Sequence, residues 1–166
     1  MASKSISVLR EKNLPLIAND NRKISVISVE PQKIAAAMDE KQCVDMLERE
    51  IRAIHKNTDG IVVKLNPDNE DIQKAVAVAE SADIIVLGMC SGIIFTNQEK
   101  LYRELKALGK TLIVVAMESP CDIELVSDCD NYIATYGAAR DWMKVAAMRM
   151  FGLTDINAKL PITSRC

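Results

Sequence analysis

Five short apolar runs recur along the chain, at residues 24–29, 61–65, 84–88, 111–116 and 132–135, and each is rich in Ile and Val. β-Branched side chains fit a pleated, buried surface, so the runs predict five strands. Apolar residues follow one another in them with little in-out alternation, as strands covered by helices on both faces require, and the sheet is expected to be mainly parallel. Between the runs the period changes to that of a helix. Val44, Leu47, Ile51 and Ile54 form one stripe within 39–56, and further helices are predicted at 69–81, 97–108 and 138–150, with a shorter one starting near Asp122.

The joints between these segments carry their own chemistry. Asp68 and Thr96 stand just before helical runs, where a short polar side chain can accept from the orphan N–H groups of the first turn. Gly109 and Gly152 stand just after them, where a positive φ ends a helix at little steric cost. Strand–helix alternation with right-handed crossovers predicts an α/β, three-layer sandwich: a doubly wound, mainly parallel five-stranded sheet in the flavodoxin-like order 2-1-3-4-5. Residues 3–16 lie outside the alternation, and Ser5-Ile6-Ser7-Val8 is a candidate short strand.

A chain of 166 residues is long enough to remove roughly two-thirds of its unfolded surface from water, so one domain is expected. Hydrophobic residues make up 49% but aromatics 4%, with eight Met, which makes the interior aliphatic. The net charge of -2 comes from intermixed acidic and basic residues. Without a basic stripe to neutralise phosphates, no nucleic-acid partner is expected. The five cysteines, at 43, 90, 121, 129 and 166, contain no C-x-x-C pair and are odd in number, so a reduced compartment is the simpler reading. The N-terminus lacks the apolar core of a signal peptide, and no apolar run approaches the ~20 residues of a membrane span. As it stands the chain reads as cytoplasmic, with no membrane partner.

In a doubly wound sheet ligands sit beyond the carboxyl ends of the strands. The first such turn, Glu30-Pro31-Gln32-Lys33, has no glycine to let backbone approach a pyrophosphate, which excludes a dinucleotide site. Its lack of Ser, Thr and Gly excludes a flavodoxin-type phosphate loop, and the scarcity of acidic residues there excludes a phospho-acceptor receiver. No cofactor and no metal site is expected. Cys90, beside Ser91 and Gly92, is the sharpest candidate for a reactive group. A thiol needs a base or an electropositive setting to ionise, and the single histidine, His55, reads as a solvated helix-end residue that complements the dipole. Glu118 and Asp122 share one loop and raise the question of a carboxylate pair for glycoside hydrolysis. Asp122 also suits the N-cap of the short helix, whereas Glu118 has no structural role in the pattern. Trp142 either stacks on a sugar or, at helical spacing with Val145, Ala146 and Arg149, packs in a core or interface. The candidate ligand-binding residues are therefore Cys90, Ser91, Glu118 and Asp122.

Longer words in the chain carry a family resemblance. Gly109-Lys110-Thr111-Leu112-Ile113-Val114-Val115-Ala116 runs into Glu118-Ser119-Pro120-Cys121-Asp122-Ile123, then Tyr132-Ile133-Ala134-Thr135-Tyr136-Gly137, and finally Ala158-Lys159-Leu160-Pro161-Ile162-Thr163. Upstream lie Ala79-Glu80-Ser81-Ala82-Asp83-Ile84-Ile85-Val86-Leu87-Gly88 and the segment from Ser5 to Leu16. In this order they resemble the C-terminal α/β sandwich domain of family 3 glycoside hydrolases, most like the β-N-acetylhexosaminidase branch. The resemblance implies that residues 1–20 are a lead-in from an N-terminal (β/α)8 barrel domain and that 21–166 form a single sandwich domain. It implies as partners that barrel and a carbohydrate at the domain cleft, and a parent enzyme that is secreted or cell-wall associated. The family's nucleophile and acid/base words, Lys-His-Pro-Gly-like and Asp-Ser-His-like in the barrel, are absent, as is the segment that donates a catalytic Glu in β-glucosidases. Where the family often has Arg and Tyr after the fourth strand, this chain has Glu118 and Cys121. No catalytic residue is carried over, and the chain alone is expected to be inactive. Two readings follow: a non-catalytic C-terminal domain of an enzyme hydrolysing β-N-acetylglucosaminides, or a stand-alone small-molecule or protein binding module that kept the fold.

Overall fold

The computed structural model describes residues 6–31 and 44–155. The start of the first predicted helix, at 39–43, and the closing word from Ala158 to Thr163 lie outside them. Six strands form one sheet: β1 (Ser7–Glu11), β2 (Ile24–Val29), β3 (Thr58–Val63), β4 (Ile84–Met89), β5 (Thr111–Ala116) and β6 (Asn131–Ala134), in the order β1-β6-β5-β4-β2-β3. From the β3 edge, the five expected strands stand as 2-1-3-4-5 and are all parallel.

The difference is the sixth strand. β1 pairs antiparallel with β6, with a bulge between Val8 and Arg10. It satisfies an edge that would otherwise present a row of unpaired N–H and C=O groups. Its five residues, partly buried and mixed in polarity, are too few for a period to declare itself.

Four helices cover the sheet: α1 (Met46–Ile54), α2 (Asn69–Glu80), α3 (Asn97–Ala107) and α4 (Arg140–Met150). α1 packs with α4 and α2 with α3, one pair to each face. Every residue of β2 and β4 is consequently buried. The interior is aliphatic, built from Ile24, Ile27, Ile85, Leu87, Ile113, Leu101 and their like.

Local chemistry sets the ends. Asp68 accepts from the Asp71 N–H at 3.0 Å and Asp71 reaches back, a reciprocal capping box that starts α2. Thr96 makes no side-chain cap; the Asn97 N–H goes instead to Asn66 Oδ1 at 3.2 Å, so a loop from the neighbouring unit does that work. Gly109 and Gly152 have φ of +69° and +66°, as helix ends require. β3 begins three residues before the apolar run, because Thr58 and Asp59 pair with Ile24 and Ser25, and Ser25 Oγ donates to Asp59 Oδ1 at 2.5 Å. On the open side of β3, Arg52 Nε donates to the Thr58 carbonyl at 3.0 Å, which blunts that edge.

His55 departs from its expected role. It is 1% exposed, accepts from the Asn19 N–H through Nδ1 at 3.0 Å, places Nε2 2.7 Å from the Arg22 carbonyl, and stacks on Phe151. The segment before β2 folds back over the end of α1 and buries the ring, a long-range event that helix periodicity does not announce.

β3 lies so close to β2 and α1 that a Cβ on Gly60 would meet the Val26 carbonyl oxygen at 2.6 Å and Glu48 Oε2 at 2.7 Å. Gly60→Ala is expected to destabilise the protein by on the order of 1–3 kcal/mol through overpacking. Gly109→Ala has open space around its Cβ, so its cost should be the ~1–2 kcal/mol of a left-handed backbone alone. Urea denaturation of the two variants checks this, and an unchanged midpoint for Gly60→Ala contradicts the β2–β3–α1 packing.

Candidate functional site

The four candidate residues all lie at the carboxyl edge of the sheet, on the loops that follow β4 and β5. Cys90, just after β4, is fully buried. Its backbone is clamped by one side chain: Gln98, itself 0% exposed, accepts from the Cys90 N–H at 3.0 Å and donates to the carbonyls of Cys90 at 2.7 Å and Leu65 at 2.8 Å. Burial and this clamp make Cys90 part of the packing. His55, the one imidazole, sits at the opposite, amino edge of the strands, where it bonds Asn19 and Arg22. Sequence reasoning missed Gln98, since nothing in the polar run 96–99 marks which residue turns inward.

Ser91 follows with φ of +50°, one of three non-glycine residues in the left-handed region among those described. Its Oγ donates to Glu118 Oε2 at 3.1 Å. The next residue, Gly92, is buried against Leu125 and Met89, and Ile93 donates its N–H to Asp122 Oδ1 at 3.3 Å. The structure therefore brings Ser91, Glu118 and Asp122 around one turn.

Asp122 is not the N-cap expected of it. A 3-10 helix spans Pro120–Glu124, and Ser119 caps it by accepting from the Cys121 N–H at 3.3 Å. Asp122 lies inside that helix with 0% exposure, and its Oδ2 has no hydrogen-bond partner. Burial pushes its carboxyl above the ordinary range; the N–H groups of Gly92 and Ile93 pull the other way, and the charge of Glu118 adds to the rise. Tyr132 fixes the helix from β6 by donating to the Pro120 carbonyl at 3.0 Å. With one carboxyl sealed and the other half-buried against Ser91, this pair has no shared open face on which to flank a glycosidic bond.

Other predicted features resolve similarly. Trp142 is half-buried over Gly137, where an added Cβ would lie 3.1 Å from the indole ring, so it packs against the chain's own backbone. Cys121 is disulfide-bonded, against the reduced state that the odd cysteine count suggests. Among the described residues no group of three or more His, Cys, Asp or Glu is placed to hold a metal ion, and no helix is long and apolar enough to cross a membrane. A concavity of about 510 Å³ lies between α2 and α3, lined by residues such as Ile72, Val76 and Lys100, away from all four candidates.

The clamp makes a direct test of how closed this edge is. Gln98→Leu keeps the volume but strands buried backbone groups at Cys90 and Leu65, and should cost on the order of 3 kcal/mol. The Cys90 amide should also lose exchange protection. A variant as stable as the parent, with that amide still protected, contradicts the clamp.

No family model matches the chain, and no curated protein does. Solved structures do. A fungal multi-domain β-N-acetylglucosaminidase of glycoside hydrolase family 3 is similar with a TM-score of 0.77 at 21% identity, over 99% of this chain and 18% of that one. A family 3 β-N-acetylglucosaminidase from Paenibacillus sp. strain FPU-7 gives 0.83 at 18% identity, over 96% of this chain and 30% of that one. A β-glucosidase from Listeria innocua, solved with isofagomine, gives 0.74 at 16% identity, over 92% and 24%. The chain thus spans less than a third of each of these solved proteins, and at such identities the likeness is one of fold. What these likenesses show is a shared α/β sandwich fold, a mostly parallel sheet between two helical layers, in part of each of these glycosidases.

Proposed function

We propose that this chain is a non-catalytic C-terminal domain of a family 3 glycoside hydrolase whose parent enzyme hydrolyses β-N-acetylglucosaminides, and that it packs on an N-terminal (β/α)8 barrel. The observation that carries the reading is a pairing. Nearly the whole chain shares its fold with a minor portion of two β-N-acetylglucosaminidases, while of its two carboxyls after β5 Asp122 is sealed and Glu118 is half-buried against Ser91.

The direction of the chain supports the same reading. Because β1 runs antiparallel to β6, with Ser7 opposite Ala134, the chain enters the sheet at its carboxyl edge. A domain joined ahead of β1 would be tethered there. At that same edge the turn after β4 exposes Ile93 (45%) and Ile94 (70%). A pair of large apolar side chains at a turn tip is suited to burial against a partner. The other exposed apolar pair, Ile17 and Leu153, belongs to the amino edge, where Leu16 bonds the end of α4. A carbohydrate at the resulting cleft would meet, on the described turns after β4 and β5, the Glu118–Ser91 pair.

Two measurements test this. Purified chain given an aryl β-N-acetylglucosaminide should show no turnover, and turnover that survives repurification and disappears in Glu118→Gln overturns the non-catalytic reading. The barrel encoded at the same locus, co-expressed with the chain, should co-purify with it. Ile94→Asp should abolish that association and Ile17→Asp should not. A locus without a barrel, or loss of association through Ile17 alone, contradicts the proposal and favours the stand-alone binding module.

A further inference from the structure

The turn from Ser91 to Ile94 is held in an unusual way. It closes on itself through the Ile94 and Phe95 N–H groups, which both donate to the Ser91 carbonyl, at 3.0 and 3.1 Å. Beyond that, two carboxylates bind it to the body of the protein: Glu118 through the Ser91 hydroxyl and Asp122 through the Ile93 N–H. Among the described residues neither carboxylate takes part in an ion pair. The titratable groups facing Asp122 are few. The β5 loop contributes Glu118, and β6 contributes the Tyr132 phenol, whose proton is committed to Pro120. Glu124, on Asp122's own 3-10 helix, is exposed, and the turn itself supplies backbone N–H groups.

This arrangement suits one protonation state of Asp122 better than the other. Oδ1 has an N–H donor, while Oδ2 is buried without a partner. A neutral carboxyl can accept through one oxygen and keep its proton on the other at modest cost. An ionised one would bury a charge met only by the Gly92 and Ile93 N–H groups, with Oδ2 unpartnered and a second carboxylate nearby, which drives the group toward water. The way to water is through the turn, because Gly92 sits with its Cα side against Asp122 Cγ and the residues beyond it are exposed.

We propose that the Ser91–Ile94 turn is a proton-controlled latch: neutral Asp122 keeps it seated on the β5 loop, and ionisation of Asp122 releases it, displacing the Ile93–Ile94 tip. The upward shift of the Asp122 carboxyl by burial, increased by Glu118, is in the direction this requires. For a carboxyl raised in the seated form, the stabilisation is fully present below the ordinary value of about 4 and is lost as pH rises through the raised one. The latch stands on the chain alone. If the docking reading above also holds, the latch makes docking through Ile94 pH-dependent.

Amide hydrogen exchange of residues 93–95 in the purified chain, corrected for intrinsic rates, tests it between about pH 4 and about pH 8. In the parent the protection of Ile94 and Phe95 should fall with rising pH by at least about tenfold, one pKa unit being a factor of ten. Asp122→Asn keeps the acceptor for Ile93, adds no charge, and should hold protection high and flat across the range. Glu118→Gln removes the repelling charge and should move the transition to lower pH, which supplies the test should Asp122→Asn fold poorly. Flat protection in the parent, or a transition unchanged in both variants, overturns the latch. Because no barrel is present, these outcomes are independent of the docking test.

Discussion

The constraint on which this structure depends is that its central strands are buried on both faces. β2 and β4 have no solvent-facing side, so their side chains are apolar except for Ser25 and Ser28 of β2, of which Ser25 is satisfied by Asp59. Each Leu, Ile or Val sealed between sheet and helix contributes roughly 1.5–3 kcal/mol of transfer free energy. The backbone groups of the same strands are satisfied laterally by the parallel ladder. Polar chemistry is therefore pushed to the two edges where strands end and chains cross over.

Those edges are finished by single, many-handed side chains. At the amino edge His55 ties Asn19 to Arg22, Asn131 joins Asn13 to the Leu112 carbonyl, and Lys110 donates to the carbonyls of Glu80 and Ala82 at the end of α2. At the carboxyl edge Gln98, Ser119 and Asp122 do equivalent work. A fold of this class offers its carboxyl edge for ligands, and here much of that opportunity is spent on closing loops. On the described turns after β4 and β5, the tip presents the exposed apolar Ile93 and Ile94, with Glu118 half-buried beneath. An edge so built is suited to contact a neighbouring domain and poorly suited to acid–base chemistry.

The fold was largely legible because two-sided burial writes itself into sequence as continuous apolar runs. Strands β2, β4, β5 and β6 and helices α2, α3 and α4 fall within a residue or two of the pattern, and Asp68, Gly109 and Gly152 mark their ends as expected. Two displaced strands, β1 overlapping the candidate at 5–8 only at Ser7 and Val8 and β3 beginning three residues before its run, share a cause. β1 is short and half-buried, and β3 begins in polar Thr58 and Asp59, so both are defined by their partners more than by their own residues. The site was legible in position but not in role. Cys90, Ser91, Glu118 and Asp122 were correctly sent to one edge by topology, yet which of them is sealed depends on Gln98, Ser119 and Tyr132 arriving from elsewhere in the fold. His55 makes the same point at the other edge: the sequence shows a helix end, and the burying partner, Phe151, lies far along the chain.

With the chain alone, the turns after β4 and β5 should be closed to small polyols. Backbone amide shifts recorded while N-acetylglucosamine is titrated into labelled protein measure this directly. Signals of Ser91, Gly92, Ile93 and Glu118 should stay unmoved up to concentrations on the order of 10 mM, well above the ~1 mM that corresponds to about -4 kcal/mol of binding. Saturable shifts confined to those residues would contradict the account, because they would mean that the edge binds sugar without a partner domain.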